Sequence, residues 1–269
     1  MRRFFPAMSA TAPWKFAPLN RPFTPSPQTR KLEGIVFDVD GTLCEPQTYM
    51  FAEMRNALGI SKGQDILEHV YSLPTPEQQH RAMEIIRNIE RTAMLKQVAQ
   101  PGLARLMAYL DSRGVRKGIC TRNFDAPVNN LLSKFLAGSV FSPIVTRDFR
   151  PAKPDPAGIL HIARSWGLLR RGTGEAGVPA HGEEQHRPES GQDGADGLLQ
   201  TEPGEEVADA SGLIMVGDSI DDITAGRRAG AKTVLLVNDV NRHLADHEHT
   251  DLVISRLDEL IDVLENGLF

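Results

Sequence analysis

Cysteine is nearly absent: Cys44 and Cys120 are the two in 269 residues, too few for a disulfide framework. No apolar run approaches the ~20 residues that a membrane-spanning helix needs, the best being short pieces such as Leu213-Ile214-Met215-Val216. Histidine and cysteine do not gather at zinc-ligand spacing. His243, His247 and His249 lie irregularly in a polar stretch, and Cys120 has no clear ligand partner and reads as a small core residue. Acidic residues are missing from residues 1–31, which carry six basic residues, and six prolines fall within the first thirty positions. A segment with no sustained period of 2 or 3.6 cannot offset its ordering entropy, so residues 1–31 are expected to be a disordered leader. Its Arg-rich, acid-free start also fits a mitochondrial transit peptide, whose amphipathic helix would have to lie within residues 1–12. The expected compartment is the cytoplasm or the mitochondrion.

The net charge of −5 is a sum of unlike parts. The leader holds +6, whereas residues 172–210 hold ten acidic residues against Arg187 alone, or −9. That stretch is rich in Gly, Glu and Asp and reads as a disordered acidic insertion. The other 199 residues carry only −2, and the fold is sought there. The one notably basic stretch is the Pro-rich leader, so a nucleic-acid partner has little support.

Gly34-Ile35-Val36-Phe37 is a short apolar run ending at Asp38, the pattern of a buried strand. Helical patterns follow over 50–58 and 64–72. A third helix begins after Pro74-Thr75-Pro76-Glu77 and carries Ala82, Ile85, Ile86, Ile89 and Ala93 at helical spacing. Leu103, Leu106, Met107 and Leu110 form another stripe, stopped by Gly114. Strands are expected at Val115–Cys120, Val140–Val145, Leu213–Val216, Lys232–Val237 and Leu252–Ile254, with helices over 126–136 and 156–167 and one ending at Ala225–Gly230. The alternation predicts an α/β fold with a doubly wound parallel sheet. Residues 45–100, interrupting after the first strand, would sit apart as a helical cap, and the core would span 32–44 and 101–269.

Ligands of such sheets bind beyond the carboxyl ends of the strands. Asp38-Val39-Asp40-Gly41-Thr42, Thr121-Arg122-Asn123, Lys153 and Gly217-Asp218-Ser219-Ile220-Asp221-Asp222 all fall there. Asp38, Asp40, Asp218 and Asp222 would converge, and like charges so close oppose folding. A hard divalent cation removes the conflict, and an oxygen-only donor set suits Mg²⁺. A carboxylate nucleophile beside Mg²⁺ points to phosphoryl transfer through an aspartyl-phosphate. Asp38 would attack phosphorus, and Asp40 would protonate the leaving alcohol and then activate water. Thr121, Arg122, Asn123 and Lys153 are the candidate substrate-binding groups, with the Thr121 hydroxyl and the Lys153 ammonium on phosphate oxygens.

These ordered motifs resemble the four motifs of the haloacid dehalogenase superfamily. The resemblance implies a Rossmann-like core, a small α-helical cap over the site, an aspartyl-phosphate intermediate and Mg²⁺. It assigns to the metal the Asp38 carboxylate, the Asp40 backbone carbonyl and the Asp218 side chain. Asp222 would act through water or by holding Lys153. Dehalogenating members lack an acid two residues after the nucleophile, so Asp40 favours phosphate chemistry. The expectation is a Mg²⁺-dependent hydrolase of a small phosphorylated metabolite. The alternatives are a phosphosugar mutase using the same intermediate, and a non-catalytic binding module retaining the fold. Cap cations Arg55, Lys62, Arg81 and Arg87 are candidates for an anionic moiety, against their reading as solvated helix faces.

Overall fold

A computed structural model describes residues 15–26, 28–171 and 206–267. In chain order the elements are β1 Lys15–Phe16, β2 Thr29–Arg30, β3 Gly34–Phe37, α1 Thr48–Leu58, α2 Ile66–Ser72, α3 Pro76–Leu95, α4 Leu103–Ser112, β4 Lys117–Cys120, α5 Asp125–Phe135, β5 Ile144–Val145, α6 Ala157–Ser165, β6 Leu169–Arg171, β7 Glu206–Ala208, β8 Leu213–Gly217, α7 Ile220–Ala229, β9 Lys232–Leu236, a 3₁₀ turn Arg242–Leu244, β10 Leu252–Ile254 and α8 Glu259–Asn266.

Six strands form one parallel sheet in the order β10-β9-β8-β3-β4-β5. The first strand into the sheet, β3, is central, with β4 on one flank and β8 on the other. The strand order therefore reverses between β3 and β8, which opens a crevice at their carboxyl ends. Every residue of β3, β4 and β8 is buried, as an apolar strand covered on both faces requires. One core layer joins Phe37, Leu106, Leu110, Leu131 and Leu260, and the opposite layer joins Val36, Ile159, Ile162 and Met215. The α/β doubly wound sheet expected from the alternation is present.

Helices α1, α2 and α3 bury a separate cluster, with Met50, Met54, Val70, Ala82 and Ile86 at its centre. Thr75 starts α3 through a capping box, its hydroxyl accepting from the Gln78 amide. Asp65 caps α2, accepting from the Leu67 and Glu68 amides.

Three expectations need correction. Residues 15–26 and 28–31 are ordered although the leader was expected to be disordered throughout. Phe16 is buried in the main core, β1 pairs with β2, and the Leu19 amide donates to the Leu264 carbonyl. A single aromatic anchor and one short strand pairing suffice where periodicity is absent. The transit-peptide helix expected within residues 1–12 lies outside the described residues. Part of the stretch 172–210, expected to be disordered, is a strand: Glu206–Ala208 pairs antiparallel with Leu169–Arg171, while 172–205 lies outside the described residues. Finally, the strand expected over Val140–Val145 is only Ile144–Val145: the Ser142 amide and the Pro143 carbonyl still bond to β4, but the proline ring restricts the backbone there and interrupts regular strand geometry.

Candidate active site

Four chain segments deliver polar groups to the crevice. After β3 the chain turns sharply, with the Val39 carbonyl accepting from the Thr42, Leu43 and Cys44 amides. Gly41 makes the turn at φ 82°, a region that disfavours residues with a Cβ. Its missing side chain is also a packing requirement, since a Cβ there would lie 2.1 Å from Asp218 Oδ2. Asp38 is anchored by its amide, which donates to the Val216 carbonyl of β8.

Lys153 is the electrostatic centre. Its Nζ donates to Asp38 Oδ1 at 2.7 Å and to Asp222 Oδ1 at 2.5 Å, with only 3% of its side chain exposed. Burial alone would lower its pKa, but Asp222 and Asp38 outweigh burial and hold the ammonium charged. Asp222 Oδ2 accepts from the Ser219 amide and hydroxyl in the capping box that starts α7. Both of its oxygens are therefore engaged, which matches the holding of Lys153 among the two roles considered for it.

Among the described residues, Asp38, Asp218 and Asp222 place carboxylate oxygens within 4.8 Å of one another. Asp218 follows β8; its Oδ2 accepts from Asn238 Nδ2 at 3.2 Å, and its carbonyl accepts from Asn241 Nδ2 at 2.6 Å. Burial, then the charges of Asp222 and Asp38, push Asp218 up to about 8. Asp38 is pushed up to about 7, chiefly by burial and against the pull of Lys153. One ammonium does not neutralise this group of carboxylates. Asp38 Oδ2 and Asp218 Oδ1 take part in no hydrogen bond among the described residues. Two such oxygens in an all-oxygen, charge-deficient site fit a hard divalent cation.

Asp40 points elsewhere. Its Oδ2 accepts from Asn123 Nδ2 at 2.9 Å and its Oδ1 from Cys44 Sγ at 3.4 Å. Burial raises its pKa, favouring the protonated acid. Thr121 is buried, and its Oγ1 accepts from the Asn123 amide, which leaves its own proton to donate. The other two residues expected to bind substrate are engaged with protein groups. Asn123 orients Asp40. Arg122 reaches across the mouth, donating to Asp65 Oδ2 in the cap at 2.6 Å and to Asp221 Oδ2 of α7 at 2.7 Å.

Sequence reasoning passed over Glu90 and Arg147, which form a buried pair at 2.7 Å. Arg147 also holds the 121–123 loop, its Nε donating to the Arg122 carbonyl and its amide to the Asn123 carbonyl. Its guanidinium lies 4.0 Å from the Phe124 ring centroid. Glu90 did leave a signal, a carboxylate on the buried stripe Ala82, Ile86, Glu90 and Ala93 of α3. Arg147, Asn238 and Asn241 lie in the loops that follow β5 and β9, so their place at the carboxyl ends of strands was the signal that could have found them. The cleft above Asp38 has a volume of about 350 Å³, the size of a small-metabolite site.

The family model of haloacid dehalogenase-like hydrolases matches residues 32–173, and a HAD-hydrolase-like model matches residues 197–260. The chain belongs to the haloacid dehalogenase superfamily of hydrolases. An uncharacterized hydrolase of Saccharomyces cerevisiae shares 39% identity with this HAD chain over 243 residues, spanning 88% of it and 93% of the yeast protein. Two solved structures show the same HAD fold. A hydrolase from Pseudomonas syringae gives a TM-score of 0.59 at 20% identity, over 88% of this chain and 100% of its own. CbbY of Rhodobacter sphaeroides, solved in complex with xylulose-1,5-bisphosphate, gives 0.58 at 18% identity, over 85% and 96%.

Proposed function

We propose that this hydrolase is a Mg²⁺-dependent phosphomonoesterase acting on a small phosphorylated metabolite through an aspartyl-phosphate on Asp38. The observation that carries the reading is the pairing of two unlike acids two residues apart. Asp38 is ion-paired to a buried ammonium; Asp40 is bonded instead to Asn123 and Cys44 and is pushed by burial towards its protonated form. Environments that separate two neighbouring carboxyls in this way assign nucleophile and acid.

Asp38 attacks phosphorus, and the bond from phosphorus to the ester oxygen breaks. The leaving oxygen takes the Asp40 proton. The Asp40 carboxylate then accepts a proton from water as the water oxygen attacks phosphorus, releasing phosphate and the free Asp38 carboxylate. Lys153 and the Thr121 hydroxyl hold the equatorial oxygens in line, the main need of phosphoryl transfer. Asp38, Asp218 and the Asp40 backbone carbonyl would hold Mg²⁺, which supplies charge to the phosphoryl oxygens and offsets the ionised carboxylates. Asp222 keeps Lys153 aimed at Asp38.

The test is phosphate release from an aryl phosphate by the full chain. Turnover requiring Mg²⁺, stopped by chelation and reduced at least ~10³-fold in Asp38→Asn, is expected. Turnover unchanged in Asp38→Asn rules the mechanism out. Isomerised sugar phosphate in place of free phosphate identifies a mutase instead.

A further inference from the structure

The four cap cations that the sequence offers for an anionic moiety are not equivalent in the fold. Arg87 is paired with Glu84 at 2.9 Å and does not line the space above Asp38, and neither do Lys62 and Arg81. Arg55 does line it. The other cations there are committed: Lys153 to Asp38 and Asp222, Arg122 to Asp65 and Asp221, and Arg147 to Glu90. Among the described residues, Arg55 has no carboxylate partner. Its Nη1 donates only to the Phe51 carbonyl, at the long distance of 3.5 Å. Its Nε is buried with no hydrogen-bond partner at all, a state that costs free energy unless something else fills it.

The surroundings state what that something is. Phe51 and Arg55 lie one turn apart on α1, with Met54 beside them; Ile66 and Leu67 of α2 complete an apolar wall. The phosphate would rest at the opposite, carboxylate-lined floor, with Lys153. Building on the phosphomonoesterase reading, we infer that Arg55 is a specificity-determining residue which binds a second anionic group, a carboxylate or a second phosphate, at the far end of a short phosphorylated carbon chain. A planar guanidinium that lines the space suits a two-pronged bond to either oxyanion through its outer nitrogens. The apolar wall covers the carbons between the two charges. A substrate without the distal anion leaves the half-buried Arg55 charge with no anionic partner, which is the basis for rejection.

Matched probes test the inference on the full chain with Mg²⁺. One pair is 3-phosphoglycerate against glycerol 3-phosphate, the other fructose 1,6-bisphosphate against fructose 6-phosphate. The first pair reads a distal carboxylate and the second a distal phosphate. The wild-type protein is expected to favour the doubly anionic member of at least one pair by roughly tenfold or more in kcat/KM. Arg55→Gln should bring that ratio close to unity, mainly by raising KM for the anionic member, and Arg55→Lys should keep part of it. Lys62→Gln, a cap cation outside the pocket, should leave the ratio unchanged. A ratio near unity in the wild type, or one unmoved by Arg55→Gln, overturns the inference. Binding separates this failure from failure of the hydrolase reading. In Asp38→Asn protein the favoured anionic probe should raise Tm more than its partner, and adding Arg55→Gln should remove the difference. Discrimination in binding without turnover in the wild type overturns the phosphomonoesterase and retains Arg55; turnover with no discrimination in either assay does the reverse.

Discussion

An ammonium wedged between two carboxylates and closed off from water is stable only as a set. Removing one member leaves an uncompensated buried charge, a change that typically costs about 3–5 kcal/mol. Lys153→Met should therefore destabilise the protein by that amount in equilibrium urea unfolding, besides abolishing turnover. The carboxylates impose their own pH dependence. Asp38 at about 7 and Asp218 at about 8 lie well above the ordinary carboxylate value of 3.8. The folded metal-free protein thus holds protons that the unfolded chain has released. Its stability falls as pH rises from about 4 through 8, the window in which these groups must ionise inside the fold. Bound Mg²⁺ favours the ionised forms, so the Tm gap between Mg²⁺ and EDTA samples should widen from pH 5 to pH 8. Asp218→Asn should remove much of that widening.

Elements differ in how much of their stability is local. The capping box makes the start of α3 legible from Pro74-Thr75-Pro76-Glu77 alone. Thr75→Ala should cost about 1 kcal/mol in denaturant unfolding, the usual worth of such a cap. The segment 15–31 is the opposite case. It lacks periodicity and is rich in proline, yet Phe16 sits 2% exposed in the main core. Phe16→Ala should cost about 3–5 kcal/mol by the same measurement, which a disordered leader would not show. Composition reads average behaviour and misses one anchoring ring. The same limit explains β5, where Pro143 breaks the regular strand geometry inside an otherwise strand-like run. It explains Glu90 differently: an acid on an apolar stripe is visible in sequence, but its partner Arg147 comes from a distant loop. The carboxylates and Lys153 were legible because each directly follows a strand or lies in a strand-ending loop; Asn238 and Asn241, which steady Asp218, also lie beyond the carboxyl end of β9, but a neutral amide in a loop has no charge to set it apart.

At the scale of the whole molecule, cap and core meet, among the described residues, at two ionic bridges of unlike character. The Glu90–Arg147 pair is buried, whereas Arg122 spans Asp65 and Asp221 at the mouth with about a third of each side chain exposed. Exposed pairs are weak and salt-sensitive, so the mouth is the place where the cap can part from the core. Asp65→Ser keeps a helix cap but deletes the bridge. Faster amide hydrogen exchange in α1 and α2, with exchange in β3 and β8 unchanged, is the expected result by mass spectrometry. The pairing of β6 with β7 bears on the chain's capacity for change. Arg171 and Glu206 stand opposite each other in an antiparallel register, so the two ends of the intervening 34 residues meet as the strands of a hairpin would. The spacing asks for no more than a two-residue turn. Excising 172–205 and splicing in Asn-Gly should give a shorter enzyme with the parent's melting behaviour, and the same position is a natural graft point for a foreign domain.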